Sequence, residues 1–244
     1  MNTERHNITV SGIRVEVIRK NIKNLHLGVY PPTGRVRVAA PMRVSNDAVR
    51  LAVIGKLAWI RRQKERFEHQ PRESLREMVS GESHYYLGRR YRLQVVVADG
   101  PPGPAVRGQS ILEMRVRPKS TAAARRRLLA NWYREQLKEL VPPLLAKWQR
   151  QLGVSVAGWG IRRMKTKWGT CNAKARRIWI NLELAKKSVR SLEYVVMHEL
   201  VHLIERHHND AFMAICDEHL PQWRSLREEL TCLPLAHEVW KERF

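Results

Sequence analysis

The stretch that most constrains the fold is Tyr194-Val195-Val196-Met197-His198-Glu199-Leu200-Val201-His202-Leu203-Ile204, in which only His198, Glu199 and His202 break an apolar run. A helix apolar on nearly every side belongs in a core. Two imidazoles and a carboxyl are costly to bury without partners, so the fold must supply them. His198 and His202 lie at i and i+4 and project from one face, where they can hold one Zn²⁺ at ~2.0–2.1 Å. Glu199, rotated by ~100° from His198, suits a base for an activated water better than a further ligand. The plainer alternative is a structural helix whose histidines are satisfied by ordinary hydrogen bonds.

A catalytic zinc needs a third protein ligand and an open position. The downstream candidates are Glu205, His207, His208, Asp210, Asp217, Glu218 and His219. His208 falls six residues after His202, a rotation of ~240° on a continuing helix, so it joins the site only if the chain turns near Arg206-His207.

The 244 residues suffice for a buried core, and no apolar run approaches the ~20 residues that would span a bilayer. The start, MNTERHNITV, lacks a signal-peptide layout, which gives an expectation of a cytoplasmic, membrane-free protein. Cys171, Cys216 and Cys232 form no CxxC pair, so they read as free thiols rather than a disulfide frame or thiolate zinc site. The net charge is +22, of which the first 150 residues carry +18. That excess fits an anionic partner such as nucleic acid, and equally a solvated basic surface.

Alternation of apolar and polar residues predicts strands over 8–18, 25–30 and 35–39, with turn chemistry at Pro31-Pro32-Thr33-Gly34, as a small antiparallel sheet. Ser45 caps a helix whose apolar Val49, Val53, Leu57 and Ile60 carry it to about Phe67. A hairpin over 85–91 and strands over 93–97 and 111–116 follow, with 99–104 as a loop. From Ser120 a long helix runs to Pro142-Pro143, and a second reaches Leu152. Strands over 154–163 and 178–182 precede the helix capped by Ser188. The class is α+β, without an internal repeat, and divides into a basic β-rich domain over 1–118 and a second over 119–244.

Ordered landmarks surround the histidine helix: Lys165-Thr166-Lys167-Trp168-Gly169-Thr170-Cys171, then Ile178-Trp179-Ile180-Asn181-Leu182-Glu183-Leu184, then Tyr194 to Leu203, then His208-Asn209-Asp210-Ala211-Phe212. In that order they resemble the YgjP-like metal-dependent hydrolases, a minimal zincin group similar to SprT-like proteases, with its WGSC, N-x-x-L, HELxHL and N-H-S-x-x-F segments. Gly34 to Val38, Trp59-Ile60 and Tyr86 to Tyr91 extend the likeness more weakly into the first half. Two departures stand out: Thr170 replaces the serine, and His207-His208-Asn209 stands where Asn-His-Ser is usual.

The resemblance implies a zincin-like HExxH domain in which His198, His202 and His208 bind Zn²⁺, with His207 the competing imidazole, and Glu199 acts as general base. It implies a metallopeptidase acting on peptide or protein substrates. Trp168 to Cys171 reads either as a strand edge that pairs with substrate or as a bend packed on the helix. The basic cluster Arg162, Arg163, Lys165 and Lys167 reads either as an anion contact or as a solvated face. Two rival functions keep the zinc: a nucleotide (nucleoside triphosphate) hydrolase, and a nucleic-acid-binding accessory protein with a structural metal.

Overall fold

Two hairpins with one turn geometry begin the first two sheets of the chain. In the computed structural model, which describes residues 4–30, 33–69, 76–164 and 167–232, strands β1 (Glu4–Val10) and β2 (Ile13–Lys20) pair antiparallel across Ser11-Gly12. Both turn residues are left-handed, with φ of 48° and 77°, the signature of a type I′ turn. The turn expected at Pro31-Pro32, the expectation for Lys165, and the side chains of Phe67 and Cys232 lie outside the described residues.

Strands β3 (His26–Tyr30) and β4 (Arg35–Pro41) form a second antiparallel pair, and β4 joins β2 in parallel, giving the order β1-β2-β4-β3. The sheet is therefore mixed rather than antiparallel. Alternation reports which face a side chain takes and is blind to strand direction. Val15, Val17, Val36 and Val38 pack with Val49 and Val53 of α1 (Asn46–Ile54) and Ile60 of α2 (Leu57–His69). Ser45 caps α1 by accepting from the Ala48 N–H at 3.2 Å. The single helix expected to run to 67 breaks at Gly55-Lys56, where the poorest non-proline helix former sits at the end of α1.

The next sheet repeats this topology. β5 (Ser83–Tyr86) and β6 (Arg89–Val97) meet across Leu87-Gly88, with φ of 47° and 80°; β7 (Gly103–Arg107) pairs with β8 (Ile111–Val116), and β8 joins β6 in parallel, giving β5-β6-β8-β7. Strand β7 begins inside the expected loop; it is an edge strand, where Pro104 is tolerated.

Contacts divide the chain into two units, whose described parts are 4–69 and 76–232. The division thus differs from the expected boundary at 118/119. The reason is the core: Leu93, Leu112 and Met114 of the second sheet belong to one apolar cluster with Leu137 and Val141 of α3 (Ala122–Leu152).

Helix α3 is continuous through Pro142-Pro143, where a break was expected. Leu137, Val141, Leu145 and Trp148 keep one buried stripe running past the prolines, and that burial offsets the two missing backbone donors. Thr121 caps its start and Gly153, at φ 64°, ends it. A third sheet follows, in the order β10-β11-β9, from β9 (Gly158–Arg162), β10 (Gly169–Asn172) and β11 (Arg177–Asn181). A short 3₁₀ helix (Leu182–Lys186) leads to α4 (Val189–Val201), α5 (Asp210–His219) and α6 (Trp223–Cys232). The class is mixed α+β, and among the described residues no helix is long and apolar enough to cross a membrane.

Candidate active site

Helix α4 starts at Ser188, whose hydroxyl accepts from the Ser191 N–H at 3.1 Å, and it buries Leu192, Val196, Met197, Leu200 and Val201. His198 and Glu199 ride on its last turn, and His202 is its C-cap. The chain then turns back. Ile204 and Glu205 N–H groups donate to the Val201 carbonyl at 2.9 Å, Glu205 Oε1 accepts from the His207 N–H at 2.9 Å, and Asn209 caps α5 by accepting from Phe212 N–H at 3.0 Å. This is the reversal that sequence reasoning required of any route from His202 to His208.

Its result is a three-imidazole cluster. Donor atoms of His198, His202 and His208 lie within 4.8 Å of one another, and among the described residues this is the group of His, Cys, Asp or Glu side chains able to hold a metal ion. His198 Nε2 and His208 Nε2 approach to 3.1 Å. Two nitrogens on one tetrahedral zinc would be about 3.3 Å apart, so the donor set fits such an ion. His207 is exposed and stays outside the group. Buried Phe212 of α5 supports all three rings, at 5.0, 4.9 and 4.8 Å between centroids.

Second partners orient the rings. His202 Nδ1 lies 3.2 Å from the Glu205 carbonyl, which can only accept, so the ring proton sits there and the Nε2 lone pair is free. The Tyr194 hydroxyl, one turn before His198, lies 3.4 Å from His198 Nδ1. Burial, with the charges of His202, His208 and Arg227, pushes His198 down to about 3, and burial likewise lowers His202 and His208. The shifts favour the neutral imidazole in all three, the form that ligates.

Glu199 is 5% exposed, and burial raises its carboxyl to about 8, with Lys167 opposing. Behind it stands β10. A Cβ on Gly169 would sit 2.5 Å from Glu199 Oε1 and 2.7 Å from Cγ, so only glycine lets this strand reach the carboxylate. Both expectations for the segment have a counterpart here: β10 is an edge strand lining the cleft, and its glycine is a close approach to the helix. The approach to β10 is clamped by buried Asn181, whose amide donates to the Met164 and Lys167 carbonyls at 2.8 and 2.7 Å and accepts from the Met164 and Glu183 N–H groups.

A cleft of roughly 960 Å³ runs over this arrangement, lined by the three histidines, Glu199, Tyr194 and residues of β10. Among the described residues of the basic cluster, Lys167 alone lines it. Arg162 lies 3.5 Å over the Trp179 ring, and Arg163 pairs with buried Glu183 at 3.2 Å. Cys171 and Cys216 are free thiols; Cys171 borders the cleft, and burial followed by the Glu199 charge pushes it up to about 11. Sequence reasoning missed Arg227 of α6 as a lining residue, since no spacing ties it to α4. Tyr194 was legible in principle, four residues before His198 on the same face.

No curated protein matches. Among solved structures, the metallopeptidase zymogen abylysin of Pyrococcus abyssi is 19% identical over 41% of this chain and 99% of its own, with a TM-score of 0.37. Jannalysin of Methanocaldococcus jannaschii, also a metallopeptidase zymogen, is 18% identical over 38% and 92%, with a TM-score of 0.32. The profile of the family described as YgjP-like, metallopeptidase domain, matches residues 23–232, and the chain belongs to that family.

Proposed function

We propose that this chain is a zinc-dependent peptidase in which His198, His202 and His208 hold the ion and Glu199 is the general base. The observation that carries the reading is the convergence of three imidazoles beside one buried carboxyl at the floor of an open cleft. Zinc at such a site supplies Lewis acidity, which lowers the pKa of a water and polarises the scissile carbonyl. The charge of a bound cation would favour the carboxylate form of Glu199, which would take the proton from the attacking water and return it to the leaving amine. Gly169 keeps the carboxylate seated against the strand, and Tyr194 and the Glu205 carbonyl fix the orientation of two imidazoles.

The nucleotide reading calls for carboxylates that could hold Mg²⁺ near the site. Asp210, Asp217 and Glu218 do not line the cleft among its described residues, and Asp217 is occupied by Arg224 and the Trp223 indole N–H. A structural zinc would have no use for a base beside an open cleft. Glu199→Gln separates these readings. Peptide hydrolysis should fall by about 10²–10⁴-fold while zinc content per chain, measured by elemental analysis, stays unchanged. Unchanged turnover in that variant overturns the assignment of Glu199.

A further inference from the structure

The charged side chains around the cleft are almost all of one sign. Among the described residues, Lys167, Lys174, Arg206 and Arg227 line it, against the single carboxyl of Glu199. They come from separate stretches: the approach to β10, the β10–β11 turn, the reversal after α4, and α6. Lys167 is close enough to act on Glu199 and His202, and Arg227 on His198, His208 and Tyr194, so the positive charge closes on the histidine cluster from two directions. The bias exceeds that of the chain, where 45 Lys and Arg face 23 Asp and Glu, about two to one. Nearby acids are turned to other work: Glu205 accepts from the His207 backbone, and Asp217 is held by Arg224.

We propose that the cleft selects acidic peptides, with Lys167, Lys174, Arg206 and Arg227 receiving Asp and Glu side chains on the two sides of the bond that is cut. The proposal rests on the peptidase reading and narrows it to a substrate class. Complementary charge steers an acidic peptide inward, whereas a lysine-bearing one brings like charge to walls that, among the described residues, offer no carboxylate beyond Glu199. Exposed contacts of this kind are individually weak and additive only in part, so a few of them give about a tenfold preference. The preference should weaken as salt shortens the screening distance to below ~10 Å.

The test uses the zinc-loaded full chain and quenched-fluorescence peptides of one length carrying Asp and Glu, Gln and Asn, or Lys and Arg around a common central sequence. The expected kcat/KM is about tenfold higher for the acidic than for the basic set at low salt, with the ratio shrinking at 0.3 M salt. In the double variant Lys174→Glu, Arg206→Glu the acidic-to-basic ratio should fall below one. Both peptides of the ratio are read on one preparation, so loss of folded protein does not mimic the result. Cleavage of all three sets at equal rates overturns the acidic preference and leaves the peptidase reading intact. Zinc-loaded protein that cuts none of them but hydrolyses a nucleoside triphosphate overturns both.

Discussion

The first and second sheets share one topology, one type I′ hairpin and one parallel central pair, yet they are put to different use. The turn of the first, Ser11-Gly12, stands free: a Cβ on Gly12 would meet nothing within 4 Å. The turn of the second docks on the 3₁₀ helix that leads into α4 and on the N-cap of α4. Leu87 and Gly88 N–H groups donate to the carbonyls of Ala185 and Lys186 at 2.9 and 3.2 Å, and a Cβ on Gly88 would lie 3.2 Å from Ser188, the N-cap of α4. A repeated architecture therefore acquires a role through what its turn touches, because the backbone itself is the same in both places.

Chelation of the metal gives the largest expected contrast. Amides of α4 and α5 should lose hydrogen-exchange protection by up to about 100-fold, equivalent to the ~2.7 kcal/mol that a ligand at 100 times its Kd contributes, while β1 to β4 keep theirs. Equal loss in these helices and in β1 to β4 would dissolve the contrast. Next comes Gly88→Ala, which should lower stability by about 2 kcal/mol in denaturant titration, since a left-handed backbone and a close neighbour both oppose the methyl. Gly12→Ala, with the backbone term alone, should cost about 1 kcal/mol. Indistinguishable midpoints for the two variants would show that docking of the turn contributes nothing.

The smallest effect belongs to His84 of β5, 6% exposed and 3.2 Å from Glu82 Oε2. Burial is the main cause holding its imidazole below the ordinary value of 6.5, against a weaker upward pull from Glu82. As pH falls through 6.5 the unfolded chain takes up this proton before the folded one, so stability is lost in the acid direction. The slope from one group cannot exceed ~1.4 kcal/mol per pH unit. His84→Gln should flatten the pH dependence of the unfolding midpoint between pH 6.5 and 5, and an unaltered curve would assign the loss to other groups.

What was legible in the sequence was local chemistry. Ser45 and Ser188 announced the helices they cap, the 85–91 segment its hairpin, and the i, i+4 histidines their shared face. Long-range packing was hidden. Nothing in the alternation of β2 and β4 says that they run parallel, and the stripe that carries α3 through two prolines matters only once the second sheet and α4 cover it. The same limit divides the candidate site. His198, Glu199 and His202 declare themselves on one helix, His208 needed the turn at 203–209, and Arg227 reaches the cleft through a helix with no periodic link to the others.

Gly169 has a consequence for anyone who would redesign this protein. The strand that walls the cleft is also the backrest of the Glu199 carboxylate, with no side chain between them to absorb a displacement. A change to the β10–β11 hairpin made to admit a new peptide will therefore shift the Glu199 carboxylate as well, and on the proposed mechanism selectivity and turnover are mechanically geared to one another.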